Sequence, residues 1–362
     1  MLKRAVGKVI EITAQRPSAQ ELAVEIDGQQ MRAMAYPALV GEIEAGDEVV
    51  LNTTAVELGL GTGGWHFIIE NLSRRATSIS GPGHIMKLRY TPHQVAVQSV
   101  EEDNSPHKQA IEGFRSLNKM PVMAGQLHSQ IGPAAAAVKH YTSRRARVAY
   151  VMTDSAALPI GFSRLVEDLK RHGFIDATIT CGQAFGGDYE AVTVYTGLIA
   201  ALEVAGADVA IVCQGPGNVG TGTAFGFSGI EMGEVINAVN ILGGSAIAIP
   251  RISYADSRPR HAGLSHHTIT ALSQIALTPA LVALPMIDQM RLLALEDQLA
   301  RTAISYRHQT RIFEGRAGIA DLQAAGIQIS SMGRSFNDDP EFFLAAAAAG
   351  AAAADMLKTT AL

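Results

Sequence analysis

Between residues 6 and 70 the chain alternates apolar and polar positions with a period of two. The runs are 6–12 (VGKVIEI), 21–26 (ELAVEI), 31–36 (MRAMAY), 48–54 (EVVLNTT) and 65–70 (WHFIIE). Strand side chains point alternately to opposite faces, so each run predicts a strand with one buried face. Turn residues separate them: Asp27-Gly28, Gly46-Asp47 and the glycines at 59, 61, 63 and 64. Five short strands joined this way predict a small antiparallel β-barrel over residues 1–78, closing in the polar stretch 72–80.

After two further short strands at 85–90 and 95–100, the pattern changes to strands alternating with helical segments. Strands are predicted at 120–124, 147–152, 176–181, 208–213, 245–250, 279–284 and 327–332. Helices are predicted at 107–116, 132–142, 160–172, 188–205, 229–242, 267–277, 286–302, 318–325 and 340–358. Runs such as 208–213 (DVAIVC) are apolar along most of their length, as strands covered on both faces must be. The expectation for residues 79–362 is therefore an α/β domain with a doubly wound, mostly parallel sheet.

Such sheets bind ligands outside the carboxyl ends of their strands. The segments that follow the predicted strands hold most of the chain's unusual residues. One is Gly215-Pro216-Gly217-Asn218-Val219-Gly220-Thr221-Gly222-Thr223, which fits G-x-G-x-x-G after a strand and offers backbone N–H groups and hydroxyls to an anion. Gly215, Gly217, Asn218, Gly220, Thr221 and Thr223 are the anion-binding candidates there. A glycine-rich turn that needs positive φ explains the same residues. Against a dinucleotide site, the next helix starts only near Ser228, and Pro250-Arg251 stands where a ribose-binding acid belongs.

The other constellation runs from Asp256 through Arg258, Arg260, His261 and Ser265 to His266 and His267. Histidines and a carboxylate so close together supply acid–base groups or ligands to a divalent metal, with His261, His266 and Asp256 as the metal candidates. Arg258 and Arg260 suit an anionic substrate. Adjacent His266 and His267 on a helix point about 100° apart, so only one of them is expected to meet His261. The plainer reading makes Ser265 a helix cap and the histidines local hydrogen-bonding groups.

Asp188, after Phe185-Gly186-Gly187, and His128 complete the catalytic candidates, and N-capping accounts equally well for Asp188. Ser129, beside His128, is expected to cap the helix that opens at Pro133. Cys181 and Cys213 end strands expected to be neighbours, and both read as buried small hydrophobes.

Composition narrows the class. A formal charge of −5 and a pI near 6.1 lack the basic field that nucleic-acid binding requires. Two cysteines in 362 residues are no disulfide framework, so a cytoplasmic setting is expected, and the first residues lack the pattern of a signal peptide. The apolar stretch 342–357 is mostly alanine, which predicts a closely packed helix rather than a membrane span. A homo-oligomer is expected, with this helix as one interface.

Several phrases together resemble a bacterial family known as domain of unknown function 3866. They are 83–92 (GHIMKLRYTP), 127–129 (LHS), 152–154 (MTD), 182–188 (GQAFGGD), 215–223 (GPGNVGTGT) and 260–267 (RHAGLSHH). The resemblance implies a bacterial cytoplasmic protein and carries no activity or catalytic residue. The residues themselves favour an enzyme acting on a small anionic metabolite, phosphorylated compounds included. The alternatives are a nucleotide- or metabolite-sensing module without turnover, and a nicotinamide- or flavin-dependent oxidoreductase.

Overall fold

The computed structural model describes residues 1–61, 63–74, 78 and 81–360. It divides into two compact units, Met1–Gln98 with Pro159–Phe162, and Ser99–Leu158 with Ser163–Leu362. This division falls after Gln98 rather than at the expected 78, within a stretch where 75–77 and 79–80 lie outside the described residues.

In the first unit, β1 (Arg4–Arg16), β2 (Ala19–Ile26), β3 (Gln29–Ala35), β4 (Glu48–Asn52) and β5 (His66–Asn71) close a barrel in the order β1-β2-β3-β5-β4. Period-two alternation sends Val9, Leu22, Val24, Ala33, Val49, Leu51 and Ile68 into its core. Asp27 and Gly28 both take positive φ, as a two-residue hairpin turn between β2 and β3 demands. The barrel departs from the antiparallel expectation at one seam, where β3 and β5 run parallel. A hairpin of β6 (Ile85–Lys87) and β7 (Val95–Val97) groups with this unit.

The second unit is built on eight strands. They are β8 (Pro121–Ala124), β9 (Val148–Thr153), β10 (Ala177–Cys181), β11 (Tyr189–Ala191), β12 (Val209–Gln214), β13 (Ser245–Ala248), β16 (Leu281–Pro285) and β17 (Gln309–Phe313). Between β13 and β16 lies a short hairpin of β14 (Ile252–Ser253) and β15 (Gly263–Leu264). The sheet order is β11-β10-β9-β12-β8-β13-β16-β17, and every neighbouring pair is parallel. Every residue of β9 and β12 is buried, which is why those runs read as continuously apolar.

The chain leaves β8, winds outward to β11, returns to insert β12 beside β8, and then winds the other way through β13 to β17. The winding direction therefore reverses around β9, β12, β8 and β13, and the loops leaving β8, β12 and β13 open at the carboxyl edge of that switch.

The sheet's last position is taken by β17, not by the strand expected at 327–332. Most of β17 is exposed, so it has no hydrophobic run to betray it, and only its pairing with β16 defines it. Residues 327–332 contribute instead to a small hairpin, Ser330–Ser331 against Arg334–Ser335. Strand β11 likewise occupies residues assigned to the start of a helix, which begins only at Val194.

Helix Pro340–Thr360 is long and apolar enough to cross a membrane, but its apolar window is 72% buried within the protein. A Cβ added at Gly350 would lie 2.1 Å from the carbonyl oxygen of Ala134. The alanine-rich helix thus packs at backbone distance against helix Ile131–Tyr141, which is what its small residues are for.

Candidate functional site

The chain leaves β13 through Ile249-Pro250-Arg251, forms the β14/β15 hairpin, and turns in a short 3₁₀ helix, Pro259–His261, at the hairpin tip. Ser265 then caps helix His266–Thr270, its Oγ accepting the N–H of His267 at 3.3 Å. His261 is thereby carried back over the first turn of the helix that holds His266 and His267.

The three imidazoles form one cluster. Ring centroids are 4.9 Å apart for His261 and His266, 4.9 Å for His261 and His267, and 4.3 Å for His266 and His267. One nitrogen from each can be chosen so that all lie within 4.8 Å of one another. This corrects the expectation that helical geometry admits only one of the adjacent pair. Both occupy the first two helical positions, and His261 sits above that turn rather than to one side of it.

Burial and the neighbouring guanidinium of Arg251 push His261 down to about 3, and burial beside His266 and His261 pushes His267 down to about 3. His266 is lowered as well, first by burial and then by Arg260. The rings are neutral at pH 7 and carry free lone pairs. His261 uses Nδ1 toward Ser265 Oγ at 2.7 Å, while Nε2 of His266 and Nε2 of His267 are buried with no hydrogen-bond partner. Phe227 stacks on His267 at 3.9 Å and 6° between ring planes, fixing that ring's orientation.

Asp256 belongs to a different group. It pairs with Arg251 at 3.1 Å, Arg258 at 2.7 Å and Arg334 at 3.6 Å. The Arg258 hydrogen bonds, foremost among its partners, hold its carboxyl well below the usual carboxylate range. Arg334 also pairs with buried Asp339, which accepts a hydrogen bond from Ser253 at 2.7 Å. Asp256 is thus spent on arginines and does not join the histidines as a metal candidate. Arg258 is spent in the same way, which takes it from the free anion-binding set.

The glycine loop meets this cluster from the other side of the switch. A Cβ at Gly220 would lie 3.1 Å from Cε1 of His267, and one at Gly222 would lie 3.5 Å from Cζ of Arg260. Its conformation differs from a dinucleotide turn. Gly220 and Phe227 form an antiparallel bridge, with Thr221 N–H donating to Gly226 O at 2.8 Å and Ser228 N–H to Val219 O at 2.9 Å. Helix Glu231–Ile241 starts well beyond the glycines, and its first turn is occupied by the Glu231 carboxylate, which accepts hydrogen bonds from Thr153 and Ser155. The hydroxyls of Thr221 and Thr223 bond each other at 2.9 Å, and Asn218 Oδ1 accepts from Gln214 at 2.8 Å and Ser228 at 3.2 Å. These side chains hold the loop's own shape. Gly215 lies against Ala157 at the loop's entry, and Gly217 and Gly222 take positive φ.

The remaining candidates lie elsewhere. Asp188 accepts from Thr178 N–H and Thr178 Oγ, both at 2.9 Å, and pairs with Lys170. Because β11 runs parallel to β10, the loop before it must return to the strand's beginning, which takes Asp188 away from the carboxyl edge. His128 lies at that edge but is fully partnered, with Nδ1 3.2 Å from Tyr150 Oη and Nε2 2.6 Å from Ser163 Oγ. Burial pushes it down to about 4. Ser129 donates to Ser331 at 2.9 Å instead of capping, because the helix opens at Ile131 after a 3₁₀ turn. Cys181 and Cys213 are both buried and in no disulfide, and β9 separates their strands, so they are not neighbours.

Sequence reasoning missed Phe227, an aromatic inside a glycine-rich segment whose stacking partner lies 40 residues on. It also missed Gln126, whose Oε1 accepts the Thr268 hydroxyl at 2.8 Å and ties the loop after β8 to the histidine helix. A cavity of about 510 Å³ lined by Gln323, Ile327, Ser330, Phe336 and Asn337 among others has no titratable side chain in its lining.

No curated protein matches the chain. The family described as "Protein of unknown function (DUF3866)" matches residues 32–350, which takes in the barrel from within β3 onward, the whole eight-stranded sheet and every residue of the histidine cluster. The chain therefore belongs to the DUF3866 family, and its chemistry has to be argued from the site itself.

Proposed function

We propose that this protein is an enzyme acting on a small anionic metabolite, with phosphorylated compounds the first to test. The observation that carries this reading is Arg260. Its guanidinium lies beside Gly222 and the histidines, and among the described residues it forms no ion pair. An exposed cation on the rim of a buried neutral cluster, at the switch of a parallel sheet, is what an anionic substrate needs for steering and orientation. The imidazoles below it supply lone pairs to the reacting end. The experiment is thermal-shift screening of phosphorylated and carboxylated metabolites, followed by analysis of the incubated compound. Stabilisation lost in Arg260→Ala, with a chemically altered ligand, supports the enzyme. A stabilising ligand recovered unchanged supports the sensing module instead, and no anion response at all defeats both. The oxidoreductase reading loses ground, since the glycine turn does not open a helix and Arg251 stands after β13.

Two cysteines on non-neighbouring strands and in no disulfide support action in a bacterial cytoplasm, as the family resemblance implies. Association into homo-oligomers draws support from Met290 and Tyr306, 84% and 77% exposed on the helices Gln289–Ala300 and Ile304–Arg307. It does not draw on helix Pro340–Thr360, which is covered within the chain. A single sedimentation species of monomer mass would remove that part of the reading.

A further inference from the structure

We infer that His261, His266 and His267 are the protein ligands of one divalent transition-metal ion of the zinc class. This rests on the same hollow as the proposed function and names its cofactor, but it does not depend on which substrate binds. The first argument is the orphaned nitrogens. His267 is only 6% exposed, and its Nε2, like that of His266, is buried with no partner. Leaving a buried polar atom unpaired forfeits its hydration without return, and two neighbouring atoms of the same kind share that cost unless one partner serves both. A metal cation is such a partner, because one ion can accept a lone pair from each of the three rings at once.

The second argument is the orientation of the rings. Ser265 Oγ accepts the backbone N–H of His267 and lies 2.7 Å from Nδ1 of His261, so the hydrogen bond engages that ring through Nδ1 and leaves Nε2 as the nitrogen available to a ligand. Metal-binding histidines are characteristically held by such a hydrogen bond on the far nitrogen. Phe227 performs the corresponding service for His267 by stacking. The ligand nitrogens lie within 4.8 Å, and about 3.3 Å is the spacing of ligands around tetrahedral zinc, so modest rotation of the rings closes the set. Three imidazoles without a carboxylate favour zinc-like ions over magnesium or calcium, which take oxygen. Asp256, the nearest carboxylate in sequence, is held by three arginines. Three protein ligands leave a coordination position open, as catalytic rather than structural zinc sites do.

The test uses the full chain after chelator treatment, titrated with Zn²⁺ by calorimetry and with Co²⁺ by visible absorption. One equivalent per chain is expected, with a cobalt ligand-field band. His261→Ala and His267→Ala should each weaken uptake by at least ~100-fold, beyond the 10–100-fold that loss of an outer hydrogen-bonding partner costs. His128→Ala should leave uptake unchanged. X-ray absorption of the zinc-loaded wild type counts imidazole ligands without any variant. Three nitrogens support the site; no saturable uptake, or uptake unaffected when all three histidines are alanine, overturns it. Arg260→Ala separates the two proposals: metal uptake that survives alongside a lost phosphate response supports both. Metal uptake with no phosphate response in the wild type removes the anionic substrate and leaves the metal site standing.

Discussion

Two groups of buried polar side chains occupy the same short stretch between β13 and the end of helix His266–Thr270, and they are finished differently. Around Asp256 the charges of Arg251, Arg258 and Arg334 converge on one carboxylate. Around His267 the rings are neutral and two nitrogens have nothing to bond. His128 supplies the control, since burial depresses it too, yet both its nitrogens are satisfied. A lowered imidazole pKa therefore does not by itself mark a site in this protein, and the inferred metal site rests instead on three clustered rings, two of which have an unpartnered buried nitrogen.

The largest effect should come from breaking the finished group. Asp256→Ala leaves Arg251, which burial already draws down to about 10, without its counter-charge. A loss of about 3–5 kcal/mol is expected in denaturant unfolding. A loss below ~1 kcal/mol would mean that the network contributes little, and the contrast with the histidines would collapse.

Next in size is the pH response of His128. Its folded pKa is about 4 against an ordinary 6.5, so between these values the unfolded chain binds more protons. The stability it contributes is complete above pH 6.5 and is lost as pH falls toward 4, by about 3 kcal/mol at most. The difference in stability between wild type and His128→Asn, followed from pH 7.5 to 4.5, isolates this residue from the other histidines. A difference independent of pH would show that His128 is not held neutral.

Smaller, and opposite in sign, is His266→Leu in metal-free protein. Removing an unpartnered buried nitrogen should leave stability unchanged or raise it by up to ~1 kcal/mol, read as a shift in the denaturant midpoint. A loss above ~2 kcal/mol would show that this nitrogen has a partner after all. Smallest is Arg260→Ala, expected to cost under ~0.5 kcal/mol because the side chain is exposed and unpaired. Its effect should appear in phosphate-dependent stabilisation and not in the unfolding curve; the reverse pattern would assign Arg260 a structural role.

Much of this was legible in the chain. Alternation at 6–12 and 21–26 named the barrel strands, the apolar run at 208–213 named a doubly covered strand, and Ser265 was readable as a cap. What misled was local. Asp188 looked like a residue at a strand's carboxyl end because the sequence does not show that the loop before β11 doubles back. The pair His266-His267 looked incompatible because ideal helical spacing ignores where the hairpin tip lands. The glycine loop looked like an anion cradle because G-x-G-x-x-G is a statement about backbone freedom, which a bridged loop uses equally well.

The order of short periodicities determined, without further help, a β-barrel followed by a parallel sheet, and with it the edge at which unusual residues gather. That much is decided by nearest neighbours along the chain, where side-chain alternation and turn chemistry act. Which of those residues meet was decided only by the tertiary structure, through the crossing order of β8, β12 and β13. The same packing decided that Asp256 would be consumed by arginines while Nε2 of His267 was left open. Hydrogen-bond satisfaction is a property of all the atoms around a group, and those neighbours come from segments far apart in the chain.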